Sequence, residues 1–387
     1  MQSSKNFKSF FMGGFECSTH RRWDGRRLDL IASSIHDQWA YEDYSALQAH
    51  GLKTLRDGLR WHLVETRAGE YDWSSFLPML RAAHQAQVEI IWDLCHYGIP
   101  DDLNIWRPEF VTRFAKFAAE TVHVIKNETG ITPLICPINE ISFWAWAGGD
   151  IALFNPMSTG RALELKHQLV RATIAAIEAI REVDPHTRFI TAEPLINVLP
   201  RIGHPAEKGP AEAYRQSQFE AFDMLIGESW PGLGGDPKYL DIIGLNYYST
   251  NQWYLDGERL SAASFGYRPL HDMLAEVYLR YGRSMLIAET GAEGDCRSTW
   301  ASYIFREVAK AQSVGIPMDG VCLYPVIDYP GWDDDRQCPT GLLGYANNTG
   351  QRPIHSPLAE VLQEWQMNHY NFISDESHSR RLETFNN

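Results

Sequence analysis

The chain has 387 residues, of which 44% are hydrophobic and 22% charged, a composition typical of a soluble globular protein. Its formal net charge of -14, without any run of Lys or Arg, argues against binding to nucleic acid, which requires a basic surface. No apolar run reaches the roughly 18 residues of a transmembrane helix, so no membrane association is predicted.

Apolar strand-like runs alternate with amphipathic helical stretches along the whole chain, which is typical of a parallel sheet with crossover helices. The predicted strands are 10–17, 54–59, 89–95, 134–139, 188–192, 242–248, 284–288 and 320–326. The predicted helices are 37–49, 73–86, 108–127, 162–183, 211–228, 269–281, 298–314 and 356–366. Eight such pairs predict an α/β protein with a single (β/α)8 TIM barrel. No glycine-rich dinucleotide-binding turn follows the first strand, which disfavours an open doubly wound sheet.

No linker or change of composition marks a second domain. We therefore predict one catalytic barrel over residues 1–372 and a polar C-terminal tail over residues 373–387. The N-terminus lacks the pattern of a signal peptide, and the six cysteines are scattered without Cys-x-x-Cys spacing. Buried free thiols in a cytoplasmic protein are the expectation.

Polar or aromatic side chains follow every predicted strand, at the end where (β/α)8 barrels carry their chemistry. Two of these ends are glutamates that close apolar runs. Glu140 follows the fourth strand in Pro-Ile-Asn-Glu, and Glu289 follows the seventh in Ile-Ala-Glu-Thr-Gly. Two carboxyl groups on one rim are what glycoside hydrolysis needs, one to protonate the leaving oxygen and one to attack or stabilise the sugar cation.

In the segments around Glu140 and Glu289 the sequence resembles the retaining glycosidases built on (β/α)8 barrels, and most closely the family 1 β-glycosidases. Asn139-Glu140 resembles the acid/base motif of that clan, and Glu289 resembles its nucleophile. Segments 41–61, 96–100 and 241–248 are similar to the second, third and sixth strand units of family 1, so the resemblance covers almost the whole chain.

The resemblance implies a role for each matching residue. Glu140 is expected to act as general acid and then general base, and Glu289 as the nucleophile, supported by Arg56 and Tyr248. It also implies a carbohydrate substrate, and the chemistry needs no metal and no cofactor. The substrate-binding candidates are His20, His96, Asn139, Asn246, Tyr324 and Trp332.

The sequence departs from the family at positions where the family binds the hydroxyls of the sugar. His20 stands where the family has a glutamine, and Tyr324 replaces a tryptophan. Gly331 stands where the family has a carboxylate that grips the 4- and 6-hydroxyls of the sugar. The candidates to replace that carboxylate are Asp328, Asp333, Asp334 and Asp335.

Structural roles remain open for several candidates. The alternative for Arg56 is a buried ion pair with Asp57 or Asp93, for His96 a core position, and for Tyr248 a strand pair with its hydroxyl in solvent. Alternation along the sixth strand predicts that Asn246 and Tyr248 share one face and that Tyr247 takes the other. Supporting or surface roles are expected for Glu16, Glu193 and Glu293.

The leading hypothesis is a retaining β-glycosidase that acts from the non-reducing end of small β-glycosides or oligosaccharides. A pocket closed by loops 201–210 and 253–267 favours this exo action, and an open groove favours endo action on longer chains. A sugar-binding pseudoenzyme is the alternative from another class, and it does not require both glutamates together with Arg56, Asn139 and Tyr248. The sequence makes no prediction about the oligomeric state.

Overall fold

The computed structural model describes residues 6–368, and the predicted tail 373–387 lies outside them. Eight parallel strands close into a barrel in chain order, because each strand pairs with the next and the eighth pairs with the first. The barrel strands are β1 (Phe11–Gly14), β2 (Thr54–Gly58), β3 (Glu89–Cys95), β4 (Leu134–Ile138), β5 (Arg188–Pro194), β6 (Ile242–Asn246), β7 (Met285–Thr290) and β8 (Met318–Leu323). The predicted (β/α)8 barrel is confirmed.

Helices surround the barrel. They are α1 (Leu30–Ser33), α2 (Ala40–Ala49), α3 (Trp61–Val64), α4 (Leu77–Gln85), α5 (Pro108–Thr129), α6 (Ile141–Gly149), α7 (Ala162–Val183), α8 (Lys208–Gln216), α9 (Glu220–Ile226), α10 (Leu270–Tyr281), α11 (Cys296–Ser313) and α12 (356–368). The predicted helix 211–228 is divided by a 3-10 turn over Ser217–Phe219 and ends at Gly227, whose φ of 81° stops it.

Helix α6 escaped prediction because it has almost no polar face. Its sequence, Ile-Ser-Phe-Trp-Ala-Trp-Ala-Gly-Gly, is apolar on all sides, so it shows no helical period. Its first residue directly follows Glu140, and the helix therefore fixes where the chain goes after β4.

The barrel strands are buried on both faces, which explains why they read as continuous apolar runs. One cluster of small and branched side chains fills the barrel interior, and a second cluster packs the strands against the helices. In β6, Ile242 belongs to the inner cluster and Ile243 to the outer one. Gly244 then faces inward, where an added Cβ would lie 2.9 Å from Ala288 Cβ. The interior of the barrel is therefore densely packed with side chains.

Short strands extend the rim of the barrel. Asn197–Leu199 pairs in parallel with Gln252–Tyr254, and Tyr329–Pro330 pairs with Gln337–Cys338. All six cysteines are free, five of them buried, in line with the sequence prediction of free thiols. Within residues 6–368, none of the helices has both the length and the apolar character to cross a membrane.

Candidate active site

A cavity of about 1610 Å³ opens at the carboxyl ends of the barrel strands. Its wall includes a side chain that follows nearly every strand, as expected where parallel strands share one rim. The residues of this wall used below are Glu16, His96, Tyr97, Glu140, Tyr248, Glu289, Glu293, Tyr324 and Trp332.

A bulge in β7 turns Glu289 toward the cavity. Leu286 and Ala288 both belong to the inner cluster, so strict alternation would point Glu289 outward. The pairing of β7 with β6 shifts register between Ile287 and Glu289, which adds one residue and re-aims the glutamate. Glu289 is 5% exposed, and its carboxylate accepts hydrogen bonds from Arg56 Nη1 at 2.8 Å and the Tyr248 hydroxyl at 2.9 Å.

Arg56 occupies the centre of a buried charge network. Its guanidinium donates to both Asp93 oxygens, through Nε at 2.9 Å and Nη2 at 2.7 Å, as well as to Glu289. Asp57, the next residue of β2, points to the opposite face and accepts from Tyr44 at 2.6 Å. Alternation along β2 thus decides which aspartate Arg56 pairs with.

Loss of Arg56 is expected to destabilise the fold strongly. In Arg56→Met, Asp93 and Glu289 remain buried without their cation, and we expect the free energy of unfolding to fall by about 3–5 kcal/mol. The control Arg81→Met removes an exposed partner of Glu128, and solvent-exposed ion pairs contribute little to stability. Urea unfolding measures both, and Asp93→Asn is expected to restore part of the loss in Arg56→Met. If Arg56→Met and Arg81→Met lower the free energy of unfolding by the same amount, this role of Arg56 is contradicted.

Glu140 lies at a sharp turn between β4 and α6. Its φ of 45° and ψ of 65° are left-handed, a conformation that costs free energy in a residue other than glycine. The turn is held by the Glu140 N–H, which donates to Ala192 O at 2.9 Å. The Glu193 carboxyl group accepts from Ser142 N at 3.0 Å at the start of α6. These contacts fix the direction of the Glu140 side chain.

Tyr97 connects the surroundings of the two glutamates. Its hydroxyl donates to Glu140 Oε2 at 2.6 Å and accepts from Asn139 Nδ2 at 2.9 Å. Asn139 Oδ1 in turn accepts from Arg56 Nη2 at 2.6 Å. Sequence reasoning missed Tyr97 as a site residue, although its place directly after His96 at the end of β3 was the available signal. A single chain of hydrogen bonds therefore runs from Arg56 to Glu140.

Burial dominates the protonation of both glutamates. Burial and, to a smaller extent, the Glu140 charge raise the pKa of Glu289 to about 7, against the lowering effect of Arg56. Burial also raises the pKa of Glu140, while hydrogen bonds from Tyr97 and Asn246 oppose this rise. Because each charge hinders ionisation of the other, the pair releases its protons in two steps and retains one proton more readily than isolated glutamates do.

Four of the predicted site residues lie beneath the cavity wall rather than in it: Arg56, Asn139, Asn246 and His20. His20 is buried among aromatic rings, with its ring centroid 4.5 Å from that of Phe154 and 4.6 Å from that of Trp332, and burial lowers its pKa to about 3.

Asn246 and Tyr248 do share the inner face, whereas Tyr247 points outward and its hydroxyl accepts from Gln252.

The remaining predicted residues do line the cavity, namely His96, Tyr324 and Trp332, together with Glu140, Tyr248 and Glu289. His96 Nδ1 lies 3.1 Å from Asp93 Oδ2, and its Nε2 lies 3.1 Å from Asn139 Nδ2. The Tyr324 ring is parallel to that of His96, and Arg56 Cζ lies 5.6 Å from its centroid. The network below therefore also holds the orientation of the rings above it.

Cys17, Asp93 and His96 bring three potential metal-ligand atoms within 4.8 Å of one another. Both Asp93 oxygens already accept from Arg56, whose positive charge opposes a cation at the same place. Burial raises the pKa of the Cys17 thiol, which disfavours the thiolate that would bind a metal. The cluster is better described as part of the Arg56 network than as a metal site.

Three of the four aspartates suggested as replacements for the missing carboxylate accept hydrogen bonds from other groups. Asp335 forms an ion pair with Arg26 at 2.8 Å, and Asp328 accepts from Gly341 N at 2.8 Å. Asp333 and Asp334 line the cavity, and Asp334 Oδ1 accepts from Arg336 N at 3.1 Å.

Comparison with known proteins shows the fold. No protein-family profile matches the sequence, and no curated protein sequence is similar to it. A family 1 β-glucosidase from Thermotoga maritima superposes with a TM-score of 0.74 at 15% identity, covering 93% of this chain and 98% of that one. The same enzyme in complex with glucoimidazole gives a TM-score of 0.77 at 15% identity, covering 94% and 99%. The AHE enzyme from Alicyclobacillus herbarius gives 0.74 at 16% identity, covering 86% and 87%. The protein has the fold of the (β/α)8-barrel β-glucosidases.

Proposed function

We propose that the protein is a retaining β-glycosidase that hydrolyses small β-glycosides or oligosaccharides from the non-reducing end. The observation that carries the proposal is the pair of glutamates in one cavity, with Glu289 held by Arg56 at 2.8 Å and Tyr248 at 2.9 Å. A purely sugar-binding protein has no need to hold a carboxylate between a guanidinium and a phenol. The fold shared with β-glucosidases supports the same reaction class.

The hydrogen-bond donors around each glutamate indicate which one is the nucleophile and which one is the general acid. A guanidinium and a hydroxyl both stabilise the ionised form of Glu289, so this carboxylate is suited to attack the anomeric carbon. Burial raises the pKa of both glutamates, but Glu140 accepts only from the neutral donors Tyr97 and Asn246, whereas Glu289 accepts from a guanidinium, so we assign the proton of the pair to Glu140. Glu140 then protonates the leaving oxygen as Glu289 forms the glycosyl-enzyme bond.

In the second step, hydrolysis of the glycosyl-enzyme, Glu140 changes from general acid to general base. After the aglycone leaves, the ionised Glu140 accepts a proton from water, which attacks the anomeric carbon and releases Glu289. The product keeps the β configuration because each of the two displacements inverts the configuration at the anomeric carbon. Arg56 and Tyr248 stabilise Glu289 again as it regains its negative charge.

The size of the cavity bears on the length of the substrate. At about 1610 Å³ it exceeds the roughly 300–1,000 Å³ of common small-ligand pockets, so an oligosaccharide or a large aglycone has room. Of the two loops considered for closing the site, 253–267 contributes Trp253, Gly257 and Arg259 to the wall, and 201–210 contributes none. The contribution of loop 253–267 to the wall supports exo action, and the volume of the cavity leaves room for the aglycone.

A panel of aryl β-glycosides tests the proposal: the glucoside, galactoside, fucoside and xyloside, with aryl α-glucoside as the stereochemical control. We expect release from at least one β-glycoside and none from the α-glucoside. On a β-linked oligosaccharide, exo action yields monosaccharide from the start, whereas endo action first yields shorter oligosaccharides. Failure of the folded protein to cleave any β-glycoside would overturn the proposal.

Removal of the Tyr97 hydroxyl is expected to extend activity toward higher pH. The hydroxyl stabilises ionised Glu140 and so lowers its pKa. In Tyr97→Phe that pKa rises, so Glu140 keeps its acid proton to higher pH and the alkaline limb of kcat/KM moves upward. Tyr247→Phe is the control, because the Tyr247 hydroxyl points away from the site. An unchanged or downward-shifted limb in Tyr97→Phe would refute this role.

We also propose that the protein works in a reducing compartment such as the cytoplasm. The six free cysteines, five of them buried and none paired, support this location.

A further inference from the structure

Glu16 is a buried carboxylate that the proposed reaction does not use. It lies two residues beyond β1 and lines the cavity with a side chain that is only 7% exposed. Phe15, the residue before it, packs outside the barrel with its ring 3.8 Å from that of His36. The change of side from Phe15 to Glu16 directs the carboxylate inward, onto the wall that also carries Glu289.

The two oxygens of Glu16 have different surroundings. Oε1 accepts from the backbone N–H of Ser18 at 3.1 Å and from the Ser18 hydroxyl. Oε2 has no hydrogen-bond partner among residues 6–368, and it is accessible from the cavity rather than sealed in the core. Ser18 thus fixes the carboxylate through one oxygen and leaves the other free to accept from a ligand.

A second polar atom without a partner lies in the same wall. The Tyr324 hydroxyl is buried and has no hydrogen-bond partner among the described residues. Burial raises the pKa of Tyr324, and the Glu16 charge is the next largest cause, so the carboxylate lies close to this ring. The charge of Glu16 acts in the same way on the pKa of Tyr329. A free acceptor and a hydroxyl that both donates and accepts therefore occur together beside Glu289.

We propose that Glu16 Oε2 accepts hydrogen bonds from ring hydroxyls of the sugar whose anomeric carbon meets Glu289, and so determines which sugar the site accepts. The inference rests on the proposed function and names the group that recognises the sugar. Glu16 would take the place of the carboxylate that is missing at Gly331, although it comes from the opposite end of the chain. Buried polar groups without a partner are rare, which argues that substrate completes the Tyr324 hydroxyl, and Oε2, which is accessible from the cavity, is free to accept from the same substrate.

The chemistry of a carboxylate narrows the sugar class. It accepts hydrogen bonds and donates none, so neutral sugars with free hydroxyls complement it. Uronic acids and sugar phosphates would add a negative charge next to Glu16, Glu140 and Glu289. The substrate is therefore a neutral sugar that presents at least one hydroxyl, remote from its anomeric carbon, to Glu16.

The test combines Glu16→Gln with sugars that lack single hydroxyls. For the parent aryl glycoside we expect Glu16→Gln to lower kcat/KM about 10- to 100-fold, as for loss of a hydrogen bond to a charged group. For the 3-, 4- or 6-deoxy glycoside that lacks the contacted hydroxyl, the same substitution is expected to have little further effect. A merely structural role would lower activity equally on every sugar, and that result, or no loss at all, would overturn the inference.

Glu293→Gln is the matched control. Glu293 also lines the cavity, but both of its oxygens accept from Arg336, at 2.8 Å and 2.6 Å. Because Arg336 pairs with both of its oxygens, we expect no dependence on the deoxy position in Glu293→Gln.

Calorimetric binding of methyl β-glycosides separates this inference from the proposed function. The measurement uses Glu289→Gln with and without Glu16→Gln, so it does not depend on turnover. Binding that depends on Glu16 and on one hydroxyl, without turnover by the wild type, would sustain the inference and reject the hydrolase. Turnover with binding that is indifferent to Glu16 would do the reverse, and absence of both would reject both.

Discussion

Glutamine at position 289 is expected to lower kcat/KM on aryl β-glycosides by at least about 10⁴-fold, as loss of a catalytic nucleophile typically does. The amide keeps the size of the carboxylate but loses the charge that Arg56 Nη1 contacts at 2.8 Å. It also loses the ability to form a glycosyl ester that water can cleave. Steady-state kinetics on the purified variant measure the loss.

The control for this substitution is Glu293→Gln, which removes a carboxylate from the same cavity but from an exposed ion pair with Arg336. We expect it to retain activity close to that of the wild type. If Glu289→Gln retains activity at the level of this control, Glu289 is not the nucleophile.

Azide rescue gives the position of each glutamate relative to the sugar. In Glu289→Ala, azide enters on the face opposite the leaving group, so the expected product is the α-glycosyl azide. In Glu140→Ala, azide attacks the glycosyl-enzyme from the face that the aglycone left, so the β-glycosyl azide is expected. An exchange of these two products would exchange the two roles.

The second large effect is expected for Glu140→Gln, and its size depends on the leaving group. For an alkyl β-glycoside, which leaves only with a proton, kcat/KM is expected to fall by about 10²- to 10⁴-fold. For a dinitrophenyl glycoside, which leaves as a stable anion, the first step needs little protonation and kcat/KM changes much less. Loss of the general base then slows the second step, so the intermediate accumulates and a burst of phenol precedes the steady state. A loss of equal size for both leaving groups would remove Glu140 from the acid role.

The fold, and the location of the two glutamates at the ends of the fourth and seventh strands, were predictable because they depend on local rules. Eight repeats of a strand and a helix leave a closed barrel as the natural architecture, and its strand ends share one rim. Period-two alternation correctly predicted that Asn246 and Tyr248 share a face opposite Tyr247.

Other parts of the site depend on geometry that alternation does not contain. The β7 bulge turns Glu289 inward where a regular strand would turn it outward. The left-handed turn at Glu140 joins an apolar helix without a readable period. Tyr97 also has a left-handed backbone, with φ of 68°, so its direction does not follow from its place after β3. These local irregularities aim the side chains, and the sequence pattern gives no sign of them.

Prediction of the sugar-reading residues was limited by tertiary packing. His20 is predicted to bind substrate, and the structure places it beside Phe154 and Trp332, beneath the residues that line the cavity. The replacement for the carboxylate missing at Gly331 was sought nearby in sequence, among the aspartates from 328 to 335. Glu16 reaches the same wall from the first strand, which only the closed barrel brings next to the eighth.

Mass spectrometry of a trapped intermediate tests the assignment of the glutamate pair most directly. A 2-deoxy-2-fluoro β-glycoside with a dinitrophenyl leaving group, carrying a sugar that the protein cleaves, should form the glycosyl-enzyme but release it slowly, because fluorine destabilises the cationic transition state. We predict one added sugar per chain, attached after proteolysis to the peptide that contains Glu289, and no adduct in Glu289→Gln. An adduct on any other residue, or none from a sugar that the wild type hydrolyses, would contradict the mechanism.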